Sequence, residues 1–300
     1  MAFLSWPQVV SQVNGHLGTD YQLLGRLGGG RQGGAWTVID GAAGSRPVVR
    51  VLTWTSHPGL VARRAQTARI VRDLRRRGYP TPCWHHWGTL ASGVTFVIAD
   101  LAPGHTGTWD TMPVEDLIAA VELQAGAAGP SEGSWSDYLS WALTAPDGPR
   151  ADLAALGATS DPLLRRIEDT ARLLSRTMVP SGDAVHGDLT LDNILIDHTH
   201  TRTGQPPRIA IIDVGACGPG TRALDYAWLY RDATTHDARP AAERLQSAGR
   251  GVAGDHVWQL CLALACLEVA AFVARHGNGE DAAAELTTQE AVLSHATTHP

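Results

Sequence analysis

Two short segments of the chain carry oxygen-bearing side chains at a spacing suited to metal and phosphate chemistry. The sequence HGDLTLDNIL, residues 186–195, places Asp188 and Asn193 five positions apart on a short loop that leads into an apolar strand. A second apolar strand ends at Asp213 in the sequence IID. Carboxylate and amide oxygens in this pattern indicate a site for a divalent metal ion and phosphate. A turn that caps a hairpin would explain HGD alone, but not the whole pattern.

Transfer of a phosphoryl group from a nucleotide to a hydroxyl needs two kinds of side chain. A carboxylate orients the attacking hydroxyl, and oxygen ligands hold Mg²⁺ against the phosphates. Asp188 is suited to the first task, and Asn193 with Asp213 to the second. Because Mg²⁺ keeps several waters, one carboxylate and one amide carbonyl can suffice as protein ligands.

The residues HGDLTLDNILID and IIDVGACGPGTRALDYAWL resemble the catalytic and metal-binding segments of the aminoglycoside phosphotransferase family, a branch of the protein-kinase-like fold. The resemblance implies an α+β, two-lobed fold, with a small β-rich lobe over residues 1–101 and a larger, mainly helical lobe over residues 102–300. It also implies Mg²⁺ as cofactor, ATP or GTP as co-substrate and a small-molecule acceptor. His186 and Asp225 are expected to support the catalytic loop.

A glycine cluster near the N-terminus is the predicted lid over the phosphates. Alternating apolar residues predict strands over 21–27 and 35–40, joined by a tight loop over 28–34. The loop fits the pattern GxGxxG at Gly28, Gly30 and Gly33. A return strand after the loop favours a kinase-type phosphate loop over a dinucleotide-binding helix, although a plain hairpin turn also fits.

The strand over 47–52 has one cation, Arg50, where the resembling family has a lysine that contacts the phosphates. Arginine is not a conservative replacement, because it is planar and bulkier. A solvent-facing strand residue is the alternative. The helix predicted over 60–77 has no Glu in its middle, where the family pairs one with the strand cation, and Gln66 or Thr67 lies nearest that turn. Gln66 is therefore expected to support the site.

The segment 94–104 predicts a strand that runs into a turn and resembles the hinge of the family. The backbone of Asp100 and Leu101 is expected to contact the base of the nucleotide there, although a simple strand exit also fits. Apolar spacing then predicts helices over 114–125, 135–143 and 161–178. The aromatic residues of the second helix are expected to pack, or to line the acceptor site.

Composition limits the remaining possibilities. A chain of 300 residues with 44% hydrophobic and 18% charged residues can bury a substantial core. The N-terminus has no signal-peptide pattern, and the apolar segment 260–273 is too short to span a bilayer, so we expect a cytoplasmic protein without membrane association. The four cysteines lack metal-ligand spacing and are expected to be small core residues.

Charge is distributed unevenly along the chain. Residues 1–99 hold 11 arginines and three aspartates, and the rest holds 13 arginines and 27 acidic residues. The arginines of the 60–77 helix are expected to form an exposed face and not a nucleic-acid site. The acidic part favours a cationic acceptor, because clustered carboxylates attract polycations.

The sequence therefore predicts a phosphotransferase that modifies a hydroxyl of a cationic antibiotic, such as an aminoglycoside or basic peptide, and gives resistance or self-protection. Two alternatives stay open. One is a kinase of a neutral metabolite or macrolide. The other is a nucleotide-binding pseudokinase, which the missing helix Glu and the exchange at Arg50 would explain. The oligomeric state is left open.

Overall fold

The N-terminal part of the protein is an antiparallel five-stranded sheet. A computed structural model describes residues 5–28, 34–41, 47–129, 133–199, 208–277 and 279–298. The sheet has the strand order β1-β2-β3-β5-β4. Its strands are β1 (Tyr21–Arg26), β2 (Trp36–Asp40), β3 (Val48–Thr55), β4 (Trp84–Thr89) and β5 (Thr95–Asp100). The predicted hairpin is confirmed, because Tyr21 pairs with Asp40 and Arg26 with Trp36.

Two helices accompany this sheet. Helix α1 (Trp6–Leu17) begins with Pro7 in its first turn and with the Ser5 backbone N–H donating to Gln8 Oε1 at 2.8 Å. Helix α2 (Pro58–Arg76) has a buried stripe that includes Ile70 and Leu74. The sequence predicts α2 but neither α1 nor β4.

The two faces of the sheet pack against different helices. One face forms a core with α1, made of aliphatic and aromatic side chains: Val9, Val10, Val13, Val38, Leu52, Phe96 and Ile98. Side chains alternate between faces along a strand, so Thr95 points away from this core. Helix α2 lies on that other side, where Arg64 donates to the Thr95 hydroxyl. We call these the α1 face and the α2 face.

The rest of the chain is mainly helical and contains the larger hydrophobic core. Its helices are α3 (Val114–Glu122), α4 (Trp135–Thr144), α5 (Pro149–Ala154), α6 (Asp161–Ala171), α7 (Ala223–Thr235), α8 (Arg239–His276) and α9 (Gly279–Thr298). The predicted third helix ends at Ala171 and continues as a 3₁₀ turn over Arg172–Arg176. An antiparallel sheet followed by a mainly helical part confirms the predicted α+β fold. The boundary between the two lobes at residue 101 stays a prediction.

Five short strands hold the loops of this second part: β6 (His105–Thr106), β7 (Asp183–Val185), β8 (Ile194–Asp197), β9 (Arg208–Ile211) and β10 (Gly218–Gly220). Strand β8 lies between β6 and β9, and β7 pairs with β10. All these pairs are antiparallel. The two small sheets bring the segments around residues 188 and 213 to one place.

Helix α8 is long and apolar enough to cross a membrane by length and composition alone. However, 67% of its most apolar window is buried inside the protein. The backbone departs from helical geometry at Gly254, so α8 consists of two helical segments. A buried core helix accounts for this composition equally well.

Candidate active site

The loop over residues 186–193 is tied to the segment that follows β9. Strands β8 and β9 pair Ile194 with Ile211, and the Ile212 backbone N–H donates to the Asn193 carbonyl at 2.9 Å. Asn193 and Asp213 therefore lie at the same end of this two-stranded ribbon. The Asn193 Nδ2 donates to the Asp188 carbonyl at 2.8 Å, which adds Asp188 to the group.

His186 also connects the 186–193 loop to the segment that follows β9. Its Nε2 donates to the Ile212 carbonyl at 2.8 Å, and the Asp188 backbone N–H donates to its Nδ1 at 3.3 Å. A carbonyl only accepts and an amide N–H only donates, so both bonds require the neutral ring with its proton on Nε2. The side chain is 1% exposed. His186 thus supports the loop, as the resemblance implies.

Asp225, in the first turn of α7, holds the beginning of the loop. Its carboxylate accepts hydrogen bonds from the His186 N–H at 2.7 Å, the Gly187 N–H at 2.9 Å and the Gln124 Nε2 at 2.8 Å. Burial raises the pKa of the Asp225 carboxyl, and these donors oppose that rise. Gln124 was not singled out in the sequence, because a Gln next to a helix end has no distinctive spacing.

Gly187 allows the loop to lie against an aromatic side chain. Its φ of 87° falls in the left-handed region, and an added Cβ would lie 2.1 Å from Trp135 Cζ2. Trp135, on α4, also donates from Nε1 to the Ala216 carbonyl at 3.2 Å. Trp135 therefore packs under both segments, in agreement with the expected packing role.

The electrostatic surroundings of Asp188 suit a carboxylate that exchanges a proton. The side chain opens to solvent, but protein surrounds it on most sides, and this burial raises the pKa of the Asp188 carboxyl. The negative charge of Asp213 raises the same pKa further. A base with a pKa nearer to neutrality is better matched to accepting a hydroxyl proton.

The donor set near Asp213 fits Mg²⁺. Asn193 uses its Nδ2 toward Asp188, which leaves its Oδ1 as the atom for a metal ion. Asp213 is an exposed carboxylate whose φ of 56° is unusual for a residue with a side chain. Such a backbone conformation costs about 1–3 kcal/mol and is found most often at functional positions. Both candidate ligands are hard oxygen donors, as Mg²⁺ prefers.

Known proteins share the family and the fold of this chain. The sequence profile of the phosphotransferase enzyme family, which includes the aminoglycoside phosphotransferases, matches residues 24–260. The chain belongs to this family. No curated protein sequence matched the chain.

Solved structures of three antibiotic kinases have a similar fold. An apo thermostable mutant of aminoglycoside phosphotransferase APH(4)-Ia has 17% identity and a TM-score of 0.65 over 95% of this chain and 98% of that one. The GDP complex of aminoglycoside 2'-phosphotransferase-IIIa has 15% identity and a TM-score of 0.62, over 97% and 99%. Amicoumacin kinase hAmiN, with AMP-PNP, Ca²⁺ and Ami, has 13% identity and a TM-score of 0.59, over 99% and 97%. The predicted kinase-like fold is confirmed.

The structure does not place Arg50 where the family places its strand lysine. Arg50 pairs across the sheet with Val38 and Asp100, and Val38 belongs to the α1-face core. Cross-strand partners share a face, so Arg50 also lies on the α1 face. There its guanidinium forms an ion pair with the Asp100 carboxylate. This placement, opposite to α2, removes the geometric basis for assigning Arg50 to the phosphates.

Gln66 and Thr67 lie on α2 and not beside Arg50. The Thr67 hydroxyl donates to the Cys217 carbonyl at 2.9 Å, so it fastens α2 to the segment after Asp213. Gln66 is half-buried on the same helix. The expectation that Gln66 supports the site stays a prediction, and the carboxylate partner of Arg50 is Asp100.

Arg64 is a buried cation that the sequence pattern does not predict. The arginines of this helix were expected to form an exposed face, but Arg64 is only 5% exposed. Its spacing was a usable signal, because Arg64, Thr67 and Val71 are three and four residues apart. They therefore lie together on the buried face of α2. The expectation of a fully exposed basic face was therefore wrong for Arg64.

The remaining predicted nucleotide-binding residues are Asp100, Leu101 and three glycines of the first loop. The Asp100 backbone N–H donates to the Cys83 carbonyl at 3.0 Å and is thus already used. Leu101 is 44% exposed at the end of β5, where its backbone stays a candidate for contact with the base. Gly28 is exposed at the start of its loop. Gly30 and Gly33 lie outside the described residues.

A group of possible metal ligands lies near the same strand end. The ligand atoms of Cys83, His85 and Asp100 are all within 4.8 Å of one another. His85 Nε2 is 2.7 Å from Asp100 Oδ1, and the Arg50 guanidinium pairs with that same oxygen. A metal ion would have to displace this cation, so the group is better described as an ion-pair cluster. The other three cysteines are buried, as expected.

A second acidic side chain near Asp188 was also missed. Glu268, on α8, accepts a hydrogen bond from the Tyr138 hydroxyl of α4. Burial raises the pKa of the Glu268 carboxyl, and the nearby charges of Asp188 and Asp152 raise it further. In the sequence, Glu268 is notable only because it interrupts an apolar segment. Its distance along the chain from Asp188 concealed their proximity in the fold.

Proposed function

We propose that this protein transfers the γ-phosphate of ATP or GTP to a hydroxyl group of a cationic small molecule. The observation that carries the proposal is the hydrogen-bonded connection of Asp188, Asn193 and Asp213 across two segments 20 residues apart. The family membership supports the reaction class. The acidic residues around Asp188 support the charge of the acceptor.

Asp188 would act on the acceptor and not on the nucleotide. Its carboxylate lies open to solvent, and its raised pKa suits acceptance of the hydroxyl proton as the oxygen attacks the γ-phosphorus. Asp225 and His186 would keep the loop in place during the reaction, since both bind its backbone. Rigid placement of this kind is a major source of rate enhancement in phosphoryl transfer.

Asn193 and Asp213 would hold Mg²⁺ through oxygen atoms. The bound ion would neutralise charge on the phosphate oxygens. The protein contributes the alignment of these two ligands, which follows from the Ile194–Ile211 pairing and from the Asn193 amide bond to Asp188.

The acceptor would lie beside Asp188 against α4, α5 and α8. Glu268 and Asp152 place carboxyl groups near this region, and the charge of Asp152 raises the pKa of Glu268. Arg275 Nε of α8 is 3.4 Å from Asp152 Oδ2. Trp141 is 44% exposed next to Tyr138, at a ring separation of 5.5 Å. Carboxylates beside aromatic faces suit an acceptor with amino groups. Phosphorylation of an antibiotic there would inactivate it and give resistance or self-protection.

Mass spectrometry of acceptors incubated with the protein, Mg²⁺ and either ATP or GTP tests this proposal. We expect a mass gain of one phosphate on polyamine antibiotics with free hydroxyls, and no gain with Asp188→Ala. Matched neutral sugars and macrolides form the comparison panel. Phosphate on neutral acceptors only would contradict the proposed acceptor charge. Nucleotide binding without transfer to any acceptor would favour the pseudokinase alternative, which the position of Arg50 motivates.

A further inference from the structure

We infer that Arg64 of helix α2, and not a residue of strand β3, supplies the cation that binds the nucleotide phosphates. The inference rests on the proposed function, and it names a phosphate ligand that the family pattern would place on the strand. Three observations support it: the side-chain directions of β3, the surroundings of Arg64, and the contact between α2 and the Asp213 segment.

Strand β3 offers no cation to the α2 face. Its side chains alternate, and Arg50 and Leu52 are on the α1 face. The residues that point to the α2 face are therefore Val49, Val51, Thr53 and Thr55. None of these four carries a positive charge, so this face of the strand cannot provide the phosphate contact.

Arg64 is a buried cation without a carboxylate partner among the residues that the structure describes. Within the described ranges, its hydrogen bonds go to the Thr95 hydroxyl at 3.3 and 3.4 Å, and no carboxylate lies within 4.0 Å of it. The Trp84 ring lies 5.5 Å from its Cζ. Burial lowers the pKa of Arg64, and the charge of Asp213 opposes that effect. The contacts of this buried guanidinium are a neutral hydroxyl and an aromatic ring. Burial of its charge therefore costs free energy, unless a further anion is bound.

The guanidinium of Arg64 lies close to the proposed metal ligand Asp213. A Cβ added to Gly215 would be 3.7 Å from Asp213 Oδ1 and 3.9 Å from Arg64 Nη1, so both side chains reach the same point. The Thr67 bond to the Cys217 carbonyl holds α2 in this position one turn further along the helix. Arg64 thus lies close to Asp213, so a phosphate group bound beside a metal ion at Asp213 would be near its guanidinium.

Arginine chemistry fits this role. A guanidinium presents several donors in a plane and can bind two phosphate oxygens at once, and it stays charged when buried. Arg64 uses Nε and Nη2 for the long contacts with Thr95, while Nη1 points to the Asp213 segment. A cation on α2 also explains why no Glu is needed on this helix: there is no strand cation on this face for it to hold.

Titration calorimetry with ATP, ADP and adenosine tests the inference. The nucleotide affinities are compared for four variants: Arg64→Gln, Arg64→Lys, Arg50→Gln and Arg69→Gln. Loss of a charge-assisted contact weakens binding by about 10- to 100-fold. We expect Arg64→Gln to lose ATP and ADP affinity by that factor, with adenosine affinity unchanged. Arg64→Lys keeps the charge but not the planar donors, so its loss should be smaller. Arg69 is exposed on the same helix, so its variant is the matched control.

The outcomes separate this inference from the function it rests on. Equal ATP affinities of Arg64→Gln and the intact protein would overturn the inference, as would a loss confined to Arg50→Gln. Absence of nucleotide binding by the intact protein would overturn the proposed function. If Arg64→Gln does not fold, as judged by circular dichroism, Arg64→Lys decides: a weakened ATP affinity with unchanged adenosine affinity supports the inference, and unchanged ATP affinity overturns it.

Discussion

The loop around Asp188 and the five-stranded sheet differ in how closely they follow the family pattern. Around the loop, side chains and backbone groups are hydrogen-bonded in a network that includes His186, Asn193 and Asp225. In the sheet, Arg50 forms an ion pair on the α1 face, and the buried cation near Asp213 comes from α2. The proposed metal-binding half of the site keeps the family pattern, while the cation proposed for the phosphate-binding half comes from a different element.

The difference follows from what each role demands. A metal ligand must sit at a defined distance and angle, so its position on the chain is hard to change. A cation that neutralises phosphate acts through charge over several ångströms, and it can come from any element that reaches the same point. Arg64 on α2 and a residue on β3 can therefore serve the same purpose, because both elements border the same space.

The largest expected effect is at Asp188. Removal of a general base costs about 10²- to 10⁴-fold in turnover. We expect Asp188→Ala to lose kcat by this factor and to retain nucleotide affinity, as measured by steady-state kinetics and calorimetry. Asp192→Ala, an exposed neighbour on the same loop, is the control and should be close to the intact protein. Near-normal turnover of Asp188→Ala would remove Asp188 from its proposed role.

Removal of the Asp225 carboxylate tests whether the loop depends on its buried support. Asp225→Ala leaves the His186 and Gly187 amides and the Gln124 side chain without their acceptor. Each buried unsatisfied donor costs about 1–3 kcal/mol, so we expect a loss of about 3 kcal/mol in the free energy of unfolding. Urea denaturation measures this, and kcat should fall as well. A stable but inactive variant would indicate that Asp225 acts in the chemistry and not as support.

A side chain at residue 187 should disturb the same loop from the other side. Gly187→Ala brings a Cβ into the Trp135 ring and places Ala at a positive φ. Overpacking and backbone strain together predict a loss of about 2–4 kcal/mol in the free energy of unfolding. The double variant Gly187→Ala with Trp135→Ala removes the clash, so it should destabilise the protein less than the sum of the two single changes. Additive effects would show that the contact with Trp135 is not the cause.

The pH dependence of acceptor use tests the acidic side of the site. The pKa of Glu268 is raised by burial, and the Tyr138 hydrogen bond opposes this rise. If ionised Glu268 binds the acceptor, kcat/KM falls as the pH drops through this raised pKa. Tyr138→Phe removes the opposing bond, so the acid limb should move to higher pH. An unchanged limb would mean that Glu268 does not contribute to acceptor binding.

The smallest expected effect is at Arg50. Its ion pair with Asp100 is partly exposed, with 20% and 41% of the two side chains accessible. Exposed ion pairs contribute about 0.2–1 kcal/mol, so Arg50→Gln should lower the free energy of unfolding by no more than this. Urea denaturation provides the value. A much larger loss would show that the ion-pair cluster with His85 holds the sheet together.

The sequence predicted the catalytic half of the site more fully than its phosphate-binding half. The positions of Asp188, Asn193 and Asp213 follow from short segments, because a loop between strands constrains the residues within it. Asp225 was assigned a supporting role, and its three hydrogen bonds agree with that role. Glu268 could not be recognised, since only the packing of α4 against α8 brings it to this region.

The sequence by itself determined the order of strands and helices in most of the chain, the family, and the three oxygen-bearing residues that meet at one end of a ribbon. Tertiary structure decided which cation faces them. The alternation of β3 assigns Arg50 to the α1 face only once the strand register is known. The docking of α2 on the Asp213 segment then buries Arg64. Local patterns encode spacing along the chain, whereas the direction of a side chain depends on which surfaces pack together.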